Sequence, residues 1–384
     1  MEPAKLDGLI ISTCKKPQFW YSKRLEHIHT LAEPWELEDD FQRVLAWQSL
    51  GLDDILDVSV PWSVDPGVSW KDTQLEAGVL DNHYPALLRE YETPSGKLRH
   101  AVKKTRENQG EGWVIQPEVL PLFEDFNIPR GIKHTVNSLD DVNVVKHLYC
   151  PPNKGDTAWF EERMRQVSAF ADLRGVPIQA WAAFGMDALV WMTGVQGAIY
   201  MAMDDPQTFG RLLDQITVTD CGRVQLAAQN PAVDMVVGRG WYSSTEIWSP
   251  KLLDKYLFPY ISILARIAHQ HGKPFGYVMT TGIKLFGKRL ADACVDVLYF
   301  VDPFADQITL EEARDQLSDQ ITIVGGISSL SLSESKAEIE AKVCHAMDVL
   351  GKATRFILQP ACSIYPDTPW EGLEILINSW KLNA

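Results

Sequence analysis

No run of 18 apolar residues occurs in this chain of 384 residues, so no stretch of it is long enough to cross a bilayer as a helix. There is no C-x-x-C pair. The six cysteines, Cys14, Cys150, Cys221, Cys294, Cys344 and Cys362, are scattered, and they suggest neither a disulfide framework nor a local zinc knuckle. Positive charge is in deficit: 36 Lys and Arg stand against 51 Asp and Glu, for a formal net charge of −15. That balance argues against a nucleic-acid partner, which needs a basic surface, and it disfavours a polyanionic substrate. No G-x-G-x-x-G follows any apolar run, and Gly238-Arg239-Gly240 is too short a match to support a nucleotide site. The first residues, Met-Glu-Pro-Ala-Lys-Leu-Asp, lack a basic region followed by an apolar core, so the expectation is a cytoplasmic protein with no membrane contact.

What is present is globular in character, with 46% hydrophobic and 23% charged residues. Thirteen tryptophans are many, and several fall near strand ends, where aromatic walls suit a flat or methyl-bearing ligand; they also serve as core filler. Residues 36–50 carry Phe41, Val44, Leu45 and Trp47 at helical spacing, and residues 1–50 read as an N-terminal helical extension. Ile55 to Val60 reads as a strand. Residues 84–105 read as an inserted β-hairpin around Pro94-Ser95-Gly96.

From Val176 onward a beat repeats. Apolar strands at 177–184, 235–240, 274–279, 295–301, 321–324 and 356–358 alternate with helical stretches. Strands apolar throughout, separated by amphipathic helices, indicate a parallel sheet covered on both faces. Six such units, with room upstream for two more, predict a single α/β domain over 51–384: a (β/α)8 TIM barrel. Reacting groups then belong at the C-terminal strand ends.

Four segments resemble the uroporphyrinogen decarboxylase superfamily, in order along the chain. Tyr91-Glu-Thr-Pro-Ser-Gly-Lys-Leu98 is similar to the hairpin of its methyltransferase-like members. Asp205-Pro-Gln-Thr-Phe-Gly-Arg-Leu-Leu213 is similar to a helix opening, and Val324-Gly-Gly-Ile-Ser-Ser-Leu330 to a strand end. Leu358-Gln-Pro-Ala-Cys-Ser-Ile-Tyr-Pro-Asp-Thr-Pro369 is similar to a C-terminal cysteine segment. The resemblance implies one of two chemistries. One is methyl transfer between a small methylated substrate and a cobalt corrinoid (cobalamin) on a partner protein; the other is cofactor-free decarboxylation. It is compatible with a homodimer.

The sequence departs from both patterns. The zinc motif H-x-C-G of the methyltransferase relatives falls on Met279-Thr280-Thr281-Gly282, so of the three ligand positions only Cys362 is retained and no zinc is expected. The decarboxylase segment R-Q-A-G-R-Y has no counterpart. The leading expectation is therefore a corrinoid-dependent methyltransferase, with an O-methyl aromatic as one donor that suits the aromatic strand ends. A decarboxylase, with Arg239 holding a carboxylate, ranks second, and a catalytically degenerate binding paralogue third.

Candidate catalytic residues are Tyr277 as proton donor, Thr281 as hydrogen-bond donor, and Glu246 and Asp302 as general acids. Candidate substrate-binding residues are Trp181, Asp187, Trp191, Trp241, Tyr242, Met279, Thr280 and Cys362. Several have a structural reading as well: Asp187 and Asp302 as caps, Tyr277 as packing, Glu246 as solvated surface, and Cys362 as a packed thiol.

Overall fold

A computed structural model describes residues 8–9, 37–105, 120–317, 320–351, 355–361, 364 and 368–383. The chain opens with β1 (Gly8–Leu9), α1 (Leu37–Ser49) and β2 (Leu56–Ser59). Of the expected N-terminal extension, residues 1–7 and 10–36 lie outside the described residues. A four-stranded antiparallel sheet follows, in the order β3 (Ser69–Leu75), β4 (Ala86–Thr93), β5 (Gly96–Lys103) and β6 (Gly131–Lys133). The segment read as an inserted hairpin forms its middle pair, with Thr93 opposite Gly96 across the Pro94-Ser95 turn. A 3-10 turn, Asp125–Arg130, leads into β6.

The repeating part contains α2 (Leu139–Val145), α3 (Lys154–Arg174), β7 (Ile178–Ala183), α4 (Gly185–Asp204), α5 (Pro206–Gln229) and β8 (Met235–Gly238). It continues with α6 (Phe258–Gln270), β9 (Phe275–Val278), α7 (Ile283–Asp292), β10 (Val297–Val301) and α8 (Leu310–Leu317). It ends with β11 (Thr322–Ser328), α9 (Lys336–Ala346), β12 (Phe356–Ala361) and α10 (Trp370–Asn383).

These strands make one parallel sheet in the order β1-β12-β11-β10-β9-β8-β7-β2. Successive strand residues face opposite sides. Met235, Val237, Val278, Val297, Tyr299, Val324 and Ile357 form an inner cluster, while Val236, Tyr277, Leu298, Ile323 and Leu358 pack with the helices outside. The sheet curls: the Tyr299 hydroxyl on β10 donates to Oε1 of Gln179 on β7, with two strands between them. A flat sheet would hold those strands about 14 Å apart.

Local chemistry explains two of the segments that suggested the family. Asp205 caps α5, accepting from Thr208 N at 3.1 Å with Pro206 in the first turn, so this motif starts a helix rather than carrying out chemistry. Strand β11 runs on to Ser328, four residues past the expected end at Val324. Gly325 and Gly326 sit at φ +150° and +96°, and a Cβ on Gly325 would come within 2.4 Å of the Val301 carbonyl oxygen. Two glycines there end an apolar run without ending the strand.

Candidate active site

The C-terminal strand ends gather aromatic rings. Trp181 on β7 stacks against Trp241, beyond β8, at 5.7 Å between centroids and 26° between planes. Phe300 on β10 lies 5.4 Å from Trp241, and Tyr299 lies 6.5 Å from Trp181. Phe300 is placed by a bulge: the register of β10 against β11 shifts between Tyr299 and Val301, and Phe300 itself has φ +63°. A positive φ at a bulky aromatic is unfavourable, so the surroundings hold it. The bulge brings Phe300 onto the inner side beside Tyr299. From below, Asp57 on β2 accepts from Trp181 Nε1 at 2.8 Å and from the Gln179 amide, fixing the plane of the indole.

Behind this wall lies a buried ionic group. Arg239, which follows β8, has its guanidinium carbon 4.3 Å from the Trp241 ring centre and 4.6 Å from that of Trp191, so rings flank the cation on both sides. Its Nε lies 2.7 Å from Asp187 Oδ2, and its Nη2 lies 2.7 Å from both oxygens of Asp125. Asp187 also accepts from the backbone N–H groups of Trp241 and Tyr242 at 3.0 and 2.9 Å. Burial pushes the Asp187 carboxyl up to about 6, against the opposing pull of Arg239. Asp125 accepts in addition from Tyr242 Oη at 2.9 Å and Trp191 Nε1 at 3.0 Å. Burial raises the Tyr242 phenol far above its ordinary value.

Sequence reasoning missed Asp125 and Asp57. Asp125 opens the 3-10 turn that leads into β6 of the antiparallel sheet, outside the repeating strand–helix units. Asp57 is a lone acid inside an apolar strand, and that was the available signal.

Two expectations on β9 are corrected. Tyr277 and Met279 do not face the mouth. Both are fully buried on the outer side of the sheet, among the helix-facing core. Tyr277 fills the space left by Gly238 and Gly240: a Cβ on Gly240 would meet the Tyr277 hydroxyl at 2.4 Å. Desolvation raises its phenol well above the ordinary range, which suits packing rather than proton donation. The face assignment was off by one residue, and a period of two turns such a slip into a change of side. Thr280, partly exposed, follows the inward Val278. Thr281 is buried, and its hydroxyl accepts from Thr245 Oγ1 at 3.2 Å.

The other candidates sort by surroundings. Trp191 does not wall the aromatic group; it lies behind Arg239 and holds Asp125. Asp302 is buried at the end of β10, with Oδ1 accepting from Phe304 N at 2.9 Å and Ala305 N at 3.3 Å. Burial raises its carboxyl, while those N–H groups and Ser328 oppose the shift. Glu246 is exposed, as its surface reading implies. Cys362 lies outside the described residues. Among the described residues no group of three His, Cys, Asp or Glu side chains is placed to hold a metal ion. Met279 and Thr281, at the positions of the zinc ligands, do not fit one: the thioether is turned into the core and the hydroxyl is paired with Thr245.

A curled parallel sheet, with helices outside and polar and aromatic side chains converging at its C-terminal strand ends, defines a barrel-like α/β protein with those ends as its candidate site. The chain belongs to the uroporphyrinogen decarboxylase (URO-D) family, whose model matches residues 128–381. No curated protein matches it significantly. A methyltransferase from Methanosarcina mazei shares the fold, with a TM-score of 0.58 at 13% identity over 98% of this chain and 94% of that one. A 3-keto-D-glucoside 4-epimerase from E. coli aligns at a TM-score of 0.35 and 12% identity over 65% of this chain and 95% of that one, too low to carry weight. Among the described residues no helix is long and apolar enough to cross a membrane.

Proposed function

We propose that this chain is a cytoplasmic methyltransferase of the URO-D family, moving a methyl group between a small methylated substrate and a cobalt corrinoid on a partner protein. We further propose that its sheet closes as a (β/α)8 barrel. The observation that carries the reading is the mouth itself: Trp181 and Trp241, both partly exposed, offer stacked apolar surface at the C-terminal strand ends. A flat methylated donor such as an O-methyl aromatic suits that wall.

The corrinoid would supply the cobalt centre that accepts or donates the methyl group. The chain's own residues bind and orient the donor. Trp181, held by Asp57, fixes the plane against which the substrate lies. Thr280 is partly exposed, two residues beyond the inward Val278. Asp302, with Oδ1 pinned and its carboxyl raised by burial, is suited to hold a proton at Oδ2 for a departing oxygen.

The decarboxylase reading ranks second because Arg239, which would have to hold a substrate carboxylate, is already paired to two acids. A degenerate binding paralogue, its pocket plugged by Met279 and Trp241, is less well supported still: Met279 is outside the mouth and Trp241 is partly exposed.

The test is methyl–cobalt formation, followed by visible spectroscopy, with the purified protein, a cognate corrinoid protein and a panel of O-, N- and S-methyl donors. Transfer from one donor class supports the reading. Failure with every class, in both directions of transfer, rejects it.

A further inference from the structure

We propose that Ser95, His147 and Asp65 form a second reactive site, in which Ser95 is a nucleophile that takes the acyl group of small, solvent-borne esters. The three residues come from separate segments: the β4–β5 turn, the stretch after α2, and the loop after β2. Ser95 Oγ lies 2.7 Å from His147 Nε2, and His147 Nδ1 lies 2.8 Å from Asp65 Oδ2. A nucleophile touching a base, and the base touching an orienting acid, is the arrangement that activates a hydroxyl.

The orienting acid is itself fixed. Asp65 Oδ1 accepts from Gly67 N at 2.8 Å, and Asp65 N donates to the His147 carbonyl at 2.9 Å, so side chain and backbone both hold the pair in register. The bond from Gly67, and after it that with the His147 ring, lower the Asp65 carboxyl below its ordinary value. An ionised carboxylate only accepts, so the neutral imidazole carries its proton on Nδ1 and presents Nε2 as the acceptor for the Ser95 O–H. His147 is 15% exposed and Ser95 is exposed, so the base is sheltered while the nucleophile is open to solvent.

In the first step Ser95 Oγ bonds to the ester carbonyl carbon and its proton passes to His147 Nε2. The ester C–O bond then breaks, and the leaving alcohol takes that proton. In the second step water attacks the acyl-Ser95 carbon, giving a proton to His147. The Oγ–C bond breaks, Oγ recovers the proton, and the acid departs. The net change is ester plus water to acid plus alcohol. The Ser95 N–H is engaged by Thr93 Oγ1 at 3.1 Å and is not free to stabilise an oxyanion. Losing one such donor costs about 10²–10³ in rate. Acylation and deacylation both pass through an oxyanion, so both are slowed, and the substrate class narrows to small, activated esters.

The test is phosphonylation of the whole chain by a fluorophosphonate, in which the P–F bond breaks and a P–O bond to Ser95 forms, read by peptide mass spectrometry. The expected result is near-stoichiometric labelling at Ser95, lost in urea-unfolded protein and in S95A. Labelling should slow at least about 100-fold in H147Q and about tenfold in D65N, consistent with an activated nucleophile. S95A removes one hydroxyl from an exposed turn, so an unchanged melting curve is expected beside the lost label. A simple latch between hairpin and barrel would make the same contacts but leave Ser95 inert. No label at Ser95, or equal label with and without His147, overturns the proposal.

Discussion

Arg239 lies 4.3 Å above the ring of Trp241, and both side chains come from the same strand end, two residues apart. Trp191 covers the other side of the guanidinium. Arg239 is 2% exposed, with Asp187 fully buried against it. Replacing it with Met is expected to leave that carboxyl without its charge partner, at a cost of about 3–5 kcal/mol. Urea unfolding with near-UV circular dichroism would show this as a lower midpoint together with a weaker tryptophan signal. An unchanged midpoint would mean the pair contributes no stability.

The two sides of β9 can be separated by a matched pair of variants. Met279→Ala removes a fully buried side chain from the helix-facing core and should cost about 2–5 kcal/mol. Thr280→Ala, on the mouth side, should change stability by no more than about 0.5 kcal/mol. Its effect should instead be on binding of the methyl donor. Thermal melts beside a binding titration distinguish the two, and the opposite pattern would reverse the face assignment.

Trp181→Phe keeps a ring in the mouth but removes the N–H that Asp57 accepts. Donor affinity is expected to fall about tenfold, or ~1.4 kcal/mol, with the fold intact. Trp181→Ala, which removes the stacking surface as well, should lose more. Equal affinity in wild type and Trp181→Ala would place the substrate elsewhere.

Stability should depend on pH through the acids around Arg43. This one guanidinium serves Asp40 at 3.4 Å, Asp54 at 3.1 Å and Asp57 at 3.5 Å. Three carboxylates on one cation favour a retained proton, and burial pushes Asp40 up to about 7. Between its ordinary value of 3.8 and about 7, the folded protein binds more protons than the unfolded chain at this site. This contribution to stability therefore declines as pH rises through that window. Asp40→Asn should flatten the slope, measurable as melting temperature against pH. A slope unchanged in the variant would assign the effect to other groups.

The parallel α/β layout was legible because apolar runs and helical periodicity are local signals, and they recur along the chain. The face of each strand was less legible. At the end of β9, Tyr277 and the following Met279 share one side and Val278 the other, and all are apolar enough for either. Only the glycines at 238 and 240, which make room for Tyr277, decide between them, and that pairing belongs to neighbouring strands. Phe300 was hidden for a related reason: a bulge adds one residue to the count and breaks the alternation that a sequence reading relies on. Asp125 joins Arg239 across 114 residues, from a turn with no periodic signature.

That last pair ties two distant parts of the chain together. Asp125 stands in the turn just before the last strand of the small antiparallel sheet, while Arg239, Trp191 and Tyr242 arrive with the barrel units. Through Asp125 the small sheet supplies half of Arg239's counter-charge and the shared acceptor of the Tyr242 hydroxyl and the Trp191 N–H, so the seating of these rings depends on both parts of the chain.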